Sequence, residues 1–317
     1  MLKPLLAAFG FAVAAVAPAW AAIPCPVVTL VAPFPPGSNT DSVARLIGEK
    51  ASAALSKPVV IENKPGAEGQ IAALDVKRAS PDGCRIFFST SGNLSILPYI
   101  RKAPPFDPLK DFTPIVGVGR YTYILYVSPA VPGHTVQDFV GFVKAAPGKY
   151  NYATGSNTNL LVFSQIQKQF GLDMERVSYK GEPPAMLDLL QDRVQAIVAT
   201  TIGLPYVKDG RIKALAVMSA QRSPLLPDVP TFDEAGIKDL AIVPWAGIVG
   251  PAGLPPQTVA ELSNAFHAAM ADPDVQSRAA ALGFTLEFSS SSDFAALMRE
   301  QHSVYGRVIA EVGLPVE

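Results

Sequence analysis

One local pattern, used twice, limits what this sequence can fold into. Val27-Val28-Thr29-Leu30-Val31 is an apolar, β-branched run that reads as a buried strand. It leads into Pro33-Phe34-Pro35-Pro36-Gly37-Ser38-Asn39-Thr40-Asp41, after which Val43, Leu46, Ile47, Ala51, Ala54 and Leu55 recur at helical spacing. The stretch is therefore a strand-to-helix turn. Its prolines stiffen the approach, and Gly37 permits a left-handed backbone. Ser38 to Asp41 supply the small polar side chains that cap a helix start. A second strand at Tyr150 to Ala153, the turn Thr154-Gly155-Ser156-Asn157-Thr158-Asn159, and a helix to Phe170 repeat the unit. Such turns aim unpaired N–H groups and the positive end of a helix beyond the sheet edge, where a carboxylate or phosphate would sit. The same residues also suit a helix that is only capped and binds nothing.

Around these turns strands and helices alternate. Val59 to Glu62 is a strand, 63–69 a Pro/Gly loop, Ile71 to Arg78 a helix, and Cys84 to Phe88 a buried strand. That strand ends in the hydroxyl cluster Ser89-Thr90-Ser91. Alternation implies parallel pairing with right-handed crossovers, and open parallel sheets bind ligands beyond the carboxyl ends of their strands. A proline-rich passage at 104–114 precedes a strand at Tyr123 to Val127 and a helix at Val136 to Ala145. After the second turn come strand Arg176 to Tyr179, the turn Lys180-Gly181, helix Pro184 to Gln191, strand Val194 to Ala199 with Thr200-Thr201 at its end, and strand Ala214 to Val217. A strand at 243–249 follows, and the rest reads mostly as helix: 256–271, 273–282 and 293–312. The expected architecture is α/β, with two doubly wound sheets joined by two crossover segments. One lobe is discontinuous, 23–122 with 246–317, and the other is 123–245. Ligand would lie between them, and rotation about the crossovers would open and close the cleft.

The first residues read as a leader. Lys3, the apolar run Leu5 to Val16 and Ala19-Trp20-Ala21 fit a secretory signal cleaved near residue 22, and the apolar run is short for a membrane span. Without Lys3, 25 basic residues face 27 acidic ones, a net charge of −2 that gives no electrostatic case for nucleic acid. Export favours pairing of the two cysteines, Cys25 and Cys84. One precedes the first strand and the other opens the third, so parallel neighbours would bring them together at the same sheet end.

The ordered set of short motifs resembles the tripartite tricarboxylate transporter receptor family, also called Bug proteins. It comprises Pro33-Phe34-Pro35-Pro36-Gly37 with Thr40-Asp41; 59–67; Pro81-Asp82-Gly83; 107–112; Pro147-Gly148-Lys149 with Asn151-Tyr152; Tyr179-Lys180-Gly181; 210–217; 227–231; and 250–253. The resemblance implies a type II periplasmic binding protein, monomeric, that closes on a small mono-, di- or tricarboxylate. It also implies a transporter with a large and a small integral membrane subunit as partner, or, as the alternative, service as a sensor. Roles pass to Gly37, Ser38, Asn39, Thr40 and Asp41, and to Thr154, Gly155, Ser156, Asn157 and Thr158, as the two carboxylate-holding loops. Ser89-Thr90-Ser91 match a third binding segment. Phe34, Lys180, Thr200 and Thr201 complete the candidate ligand-binding set. The sequence departs from the family at Ser38, where a second glycine is common, at Cys84 for tyrosine, and at Ala199 for aspartate. Without that aspartate, a ligand free of positive charge is expected.

Enzyme chemistry finds little support. The sequence has no Gly-x-Ser-x-Gly elbow, and none of His134, His267 and His302 stands beside a candidate nucleophile. No His/Cys/carboxylate spacing suits a metal, and Gly117-Val118-Gly119 lacks the third glycine of a dinucleotide loop. Neither cofactor nor metal is expected. Asp41 reads first as a helix cap. Arg120 is a further possible charge partner, and Trp245 and Tyr121 are placed either in the cleft wall or in hinge packing.

Overall fold

A computed structural model describes residues 23–240 and 242–316. The leader read at 1–22 lies outside the described residues. Two sheets organise the chain. In the first, strand β1 (Val28–Ala32) lies between β2 (Val59–Asn63) and β3 (Arg85–Thr90), parallel to both. Strand β10 (Trp245–Pro251) runs antiparallel to β3 and to β4 (Phe112–Tyr121), and β11 (Phe284–Ser289) closes the order β11-β4-β10-β3-β1-β2. The second sheet follows the same plan. Its strand β6 (Tyr150–Thr154) lies between β7 (Met174–Ser178) and β8 (Ala196–Ala199), parallel to both. Strand β5 (Tyr123–Val127) is antiparallel to β8 and to β9 (Lys213–Met218). The chain passes from the first sheet to the second at Thr122, between β4 and β5, and returns between β9 and β10. Below, each sheet with its helices is called a lobe.

Local chemistry explains the elements that matter for the site. Helix α1 (Asn39–Leu55) starts at Ser38, whose side chain accepts the Asp41 N–H, and buries Val43, Leu46, Ile47, Ala51 and Leu55. It ends where Ser56 turns left-handed, at φ 51°. Helix α2 (Gln70–Lys77) links β2 to β3, α3 (Val136–Lys144) links β5 to β6, and α4 (Asn157–Phe170) follows β6. Helix α5 (Glu182–Leu190) and the short α6 (Leu204–Lys208) flank β8. Helices α7 (Pro256–Ala271), α8 (Pro273–Ala281) and α9 (Ser291–Val312) return to the first lobe, where α7 packs on α1.

Two strands differ from the expectation. The ten-residue β4 begins within the end of the proline-rich passage and runs on to Tyr121, and the region read mostly as helix contains β11. Pro114 and two glycines interrupt the apolar run of β4, and its pairing with β10 shifts register between Ile248 and Val249, beside the proline. A bulge is where a strand tolerates a residue without an N–H. Strand β11 is an edge strand with alternating exposure, a weak pattern in so short a run.

Cys25 and Cys84 form a disulfide with Cα atoms 5.8 Å apart. The Thr29 N–H donates to the Cys84 carbonyl at 2.8 Å, so the bridge caps the parallel β1–β3 pair at its amino ends.

Candidate functional site

The site grows from the carboxyl ends of β1 and β6. In the first lobe Ser38 caps α1 and Asp41 doubles back, its Oδ2 accepting the Gly37 N–H at 3.0 Å. Gly37 makes this possible with φ 81°. Asp41 Oδ1 accepts from Asn63 at 2.8 Å and pairs with Arg45 at 2.9 Å. Burial pushes this carboxyl up, but bonds from Arg45, Gly37 and Asn63 outweigh it and hold the group below its ordinary range. In the second lobe Ser156 caps α4, accepting the Asn159 N–H at 3.2 Å, and Asn159 Oδ1 accepts the Gly155 N–H at 2.9 Å. The two turns are thus built alike, with an amide at 159 where the first has a carboxylate at 41. Each cap side chain satisfies one N–H and leaves others of the first helical turn directed out of the helix end.

The two helix starts meet at one enclosed cavity between the lobes. Phe34, Ser38, Asn39, Thr40, Thr90 and Tyr121 line it from one side, and Tyr123, Gly155, Ser156, Thr158, Glu182 and Thr200 from the other. The space between atoms is about 350 Å³, of which only about 20 Å³ admits the centre of a water. That is room for one or two waters. The lobes are drawn together around it. Asn39 donates to Thr201 Oγ1 at 2.8 Å, Asn157 donates to the Gly92 carbonyl at 3.1 Å, and Glu68 pairs with Arg176 at 2.7 Å, each bond spanning the cleft.

Hydroxyls dominate the wall. Thr40 Oγ1 and the Tyr121 hydroxyl share a bond of 2.8 Å. Burial pushes the Tyr121 and Tyr123 hydroxyls well up, with the nearby Glu182 charge adding to it, so both remain neutral donors at physiological pH. Glu182 Oε1 accepts from Asn159 Nδ2 at 3.0 Å, and Oε2 accepts the Thr200 N–H at 3.1 Å and the Thr200 hydroxyl. Burial raises this carboxyl despite those bonds. No Lys, Arg or His is among the residues lining the cavity.

Of the residues read from sequence, Phe34, Ser38, Asn39, Thr40, Thr90, Gly155, Ser156, Thr158 and Thr200 face this space. Others stand behind it. Gly37 and Asp41 shape the α1 turn. Ser89 donates to the Gly247 carbonyl inside the sheet at 2.8 Å, and Ser91 bonds to Tyr305. Thr154 Oγ1 accepts from Arg176 at 2.9 Å. Asn157 and Thr201 serve as interlobe partners. Lys180 lies in an open groove at the rim, beside Glu68, Arg101 and Arg176. Arg120 pairs with Glu287 at 2.8 Å, and Trp245 is buried edge-on to Phe294 in the core of the first lobe, outside the cavity lining. Tyr123 and Glu182 escaped the sequence reading. Tyr123 looked like a strand residue, and Glu182 like an ordinary acid in a helix's first turn.

The arrangement suits anion holding more than bond making, because no nucleophile stands beside a histidine, lysine or cysteine in the cavity. Comparison with known proteins agrees. The sequence profile described as "Tripartite tricarboxylate transporter family receptor" matches residues 43–314. The solved structure of the periplasmic binding protein BugD is similar with a TM-score of 0.87 and 31% identity, covering 91% of this chain and 98% of that one. Rpa4515 of R. palustris with adipate matches with a TM-score of 0.87 and 28% identity, over 92% of this chain and 98% of that one. MatC from Rhodopseudomonas palustris with bound malate matches with a TM-score of 0.85 and 28% identity, over 90% and 99%. The matching family is one of receptors rather than enzymes, BugD is a periplasmic binding protein, and the chain shares the two-sheet α/β architecture of these structures. A capped helix start from each lobe, a shared hydroxyl-lined cavity and a profile match over most of the described chain lead to one conclusion: the chain belongs to the tripartite tricarboxylate transporter receptor family.

Proposed function

We propose that this chain is an extracytoplasmic receptor that captures a small carboxylate between its lobes and delivers it to a membrane transporter. The observation that carries this reading is the opposition of two capped helix N-termini, α1 and α4, across one hydroxyl-lined cavity. Each helix end offers the equivalent of about half a positive charge, together with free N–H groups. Ser38, Tyr121, Tyr123, Ser156 and Thr158 add hydroxyls that accept or donate, directly or through water. The adipate and malate held by similar proteins support the ligand class.

Binding follows from this geometry. A cavity with room for one or two waters is too small for a four-carbon acid, so in this reading the lobes part to admit it. The carboxylate settles on one helix end, and contacts from the other lobe form only on closure, which shifts the population to the closed form. Micromolar affinity corresponds to about −8 kcal/mol. Several hydrogen bonds worth about 1–3 kcal/mol each supply it. In this reading residues 1–22 are removed on export, and the protein works in the periplasm as a monomer. A large and a small membrane subunit recognise its closed surface.

A thermal-shift screen against aliphatic and aromatic carboxylates tests the proposal. A true ligand at about 1,000 times its dissociation constant stabilises by about 4 kcal/mol. It is recovered chemically unchanged by chromatography. A panel with no stabilising member, or a hit that is turned over, would overturn the reading.

A further inference from the structure

Glu182 is the one formally charged side chain in the cavity wall. It opens α5 directly after Gly181, whose φ of 116° turns the chain inward, and the residue is 8% exposed. Both carboxyl oxygens face donors that cannot be reversed. Asn159 must offer its Nδ2 because its Oδ1 is held by the Gly155 N–H, and the Thr200 backbone N–H can only donate. These partners fix the carboxylate in place but carry no charge. Asp41, the other carboxylate of the site region, has Arg45 at 2.9 Å, whereas among the described residues no cation pairs with Glu182.

A second acceptor stands in the same wall. Asn39 commits its Nδ2 to Thr201 and to the Leu282 carbonyl, each at 2.8 Å. Its Oδ1 is buried without a hydrogen-bond partner. The cavity thus joins helix ends suited to an anion with a buried carboxylate held by neutral side-chain and backbone donors, and one of its lining residues, Asn39, keeps a carboxamide oxygen without a partner.

We infer that Glu182 makes this cavity select a carboxylate that also bears an ammonium group over the same acid without one. The inference rests on the carboxylate-receptor reading above and narrows its ligand class. An ammonium supplies three donors and the missing counter-charge. A ligand with only carboxylates instead brings another anion beside one whose partners, apart from the start of α5, are neutral donors, in a buried space. This inference runs against the expectation, drawn from Ala199, of a ligand free of positive charge, and the titrations below decide between the two. Glu182 reaches Thr200, the next residue along, and supplies from α5 the carboxylate that the strand end lacks.

Isothermal titration with three pairs differing only by the amino group tests this: L-aspartate against succinate, L-glutamate against glutarate, and 4-aminobutyrate against butyrate. In the wild type the ammonium-bearing member of the best-binding pair should bind ten- to a hundredfold tighter, the range for a charge-assisted hydrogen bond. Glu182→Gln should shrink that ratio to within about threefold. If the deaminated member binds as tightly to the wild type, or the glutamine variant keeps the full ratio, the inference is wrong while the receptor reading survives. Should Glu182→Gln unfold, the wild-type ratios decide alone. If no member of any pair, and no other carboxylate, binds, the receptor reading fails and takes this inference with it.

Discussion

Replacing Cys84 by serine should weaken this protein greatly without weakening its grip on a ligand. Cys25 and Cys84 lie 59 residues apart in sequence, so the bridge closes a long loop in the unfolded chain. The loop-entropy relation gives about 4 kcal/mol for a loop of that size. At 2–4 °C per kcal/mol for a domain of 150–250 residues, that is a fall in Tm of roughly 8–16 °C. The bridge joins the amino ends of β1 and β3, whereas Ser38, Thr40 and Thr90 lie at or beyond their carboxyl ends. The ligand site therefore stands a full strand length away. Guanidinium unfolding of the oxidised protein, the reduced protein and Cys84→Ser should show the same loss in both perturbed forms. Titration of a confirmed carboxylate ligand, well below the lowered Tm, should give an unchanged dissociation constant. An unchanged unfolding midpoint would refute the loop-entropy argument. An affinity that falls in step with stability would refute the separation of bridge and site.

Gly155→Ala would place a Cβ 2.4 Å from the Gly181 carbonyl carbon and 2.5 Å from the Glu182 nitrogen, and backbone cannot yield cheaply there. A destabilisation of about 1–3 kcal/mol is expected, with loss of carboxylate binding, by chemical denaturation and titration. Glu68→Gln removes the charge that pairs with Arg176 across the cleft, so the closed form should lose about 1 kcal/mol and affinity should fall about fivefold, less so at high salt. An affinity independent of both the substitution and salt would show that this pair does not help closure. The Glu182 carboxyl is raised by burial above its ordinary 4.5, so above that pH the unfolded chain releases a proton that the folded protein keeps. The wild type should therefore lose stability relative to Glu182→Gln as pH rises from about 4.5 through the folded value, while the difference stays flat below. Parallel denaturation curves for the two proteins across that range would contradict the burial argument.

Much of the site was legible because its chemistry is local. Ser38 and Ser156 read as caps, Gly37 as a turn, and both helices as amphipathic, since a helix start needs only its own neighbours to declare itself. The hydroxyl cluster at 89–91 shows where local reading ends. Alternation along β3 sends Thr90 towards the cavity and Ser89 into the sheet against Gly247, so one motif serves two purposes. Lys180 looked like the natural charge for an anion, yet the turn before α5 places it in the rim groove.

What the chain declares by itself is the repeated strand–turn–helix unit, the cysteine pair and two helix ends able to hold an anion, because hydrogen-bond capping and periodicity act over a few residues. Tertiary structure decided which groups share the cavity. Glu182, Asn159 and Thr200 come together only when α5, α4 and the end of β8 pack side by side, and Tyr121 and Tyr123 meet there because the chain changes sheets between them. β4 and β11 belong to the same category: paired neighbours, and not their own residues, make them strands.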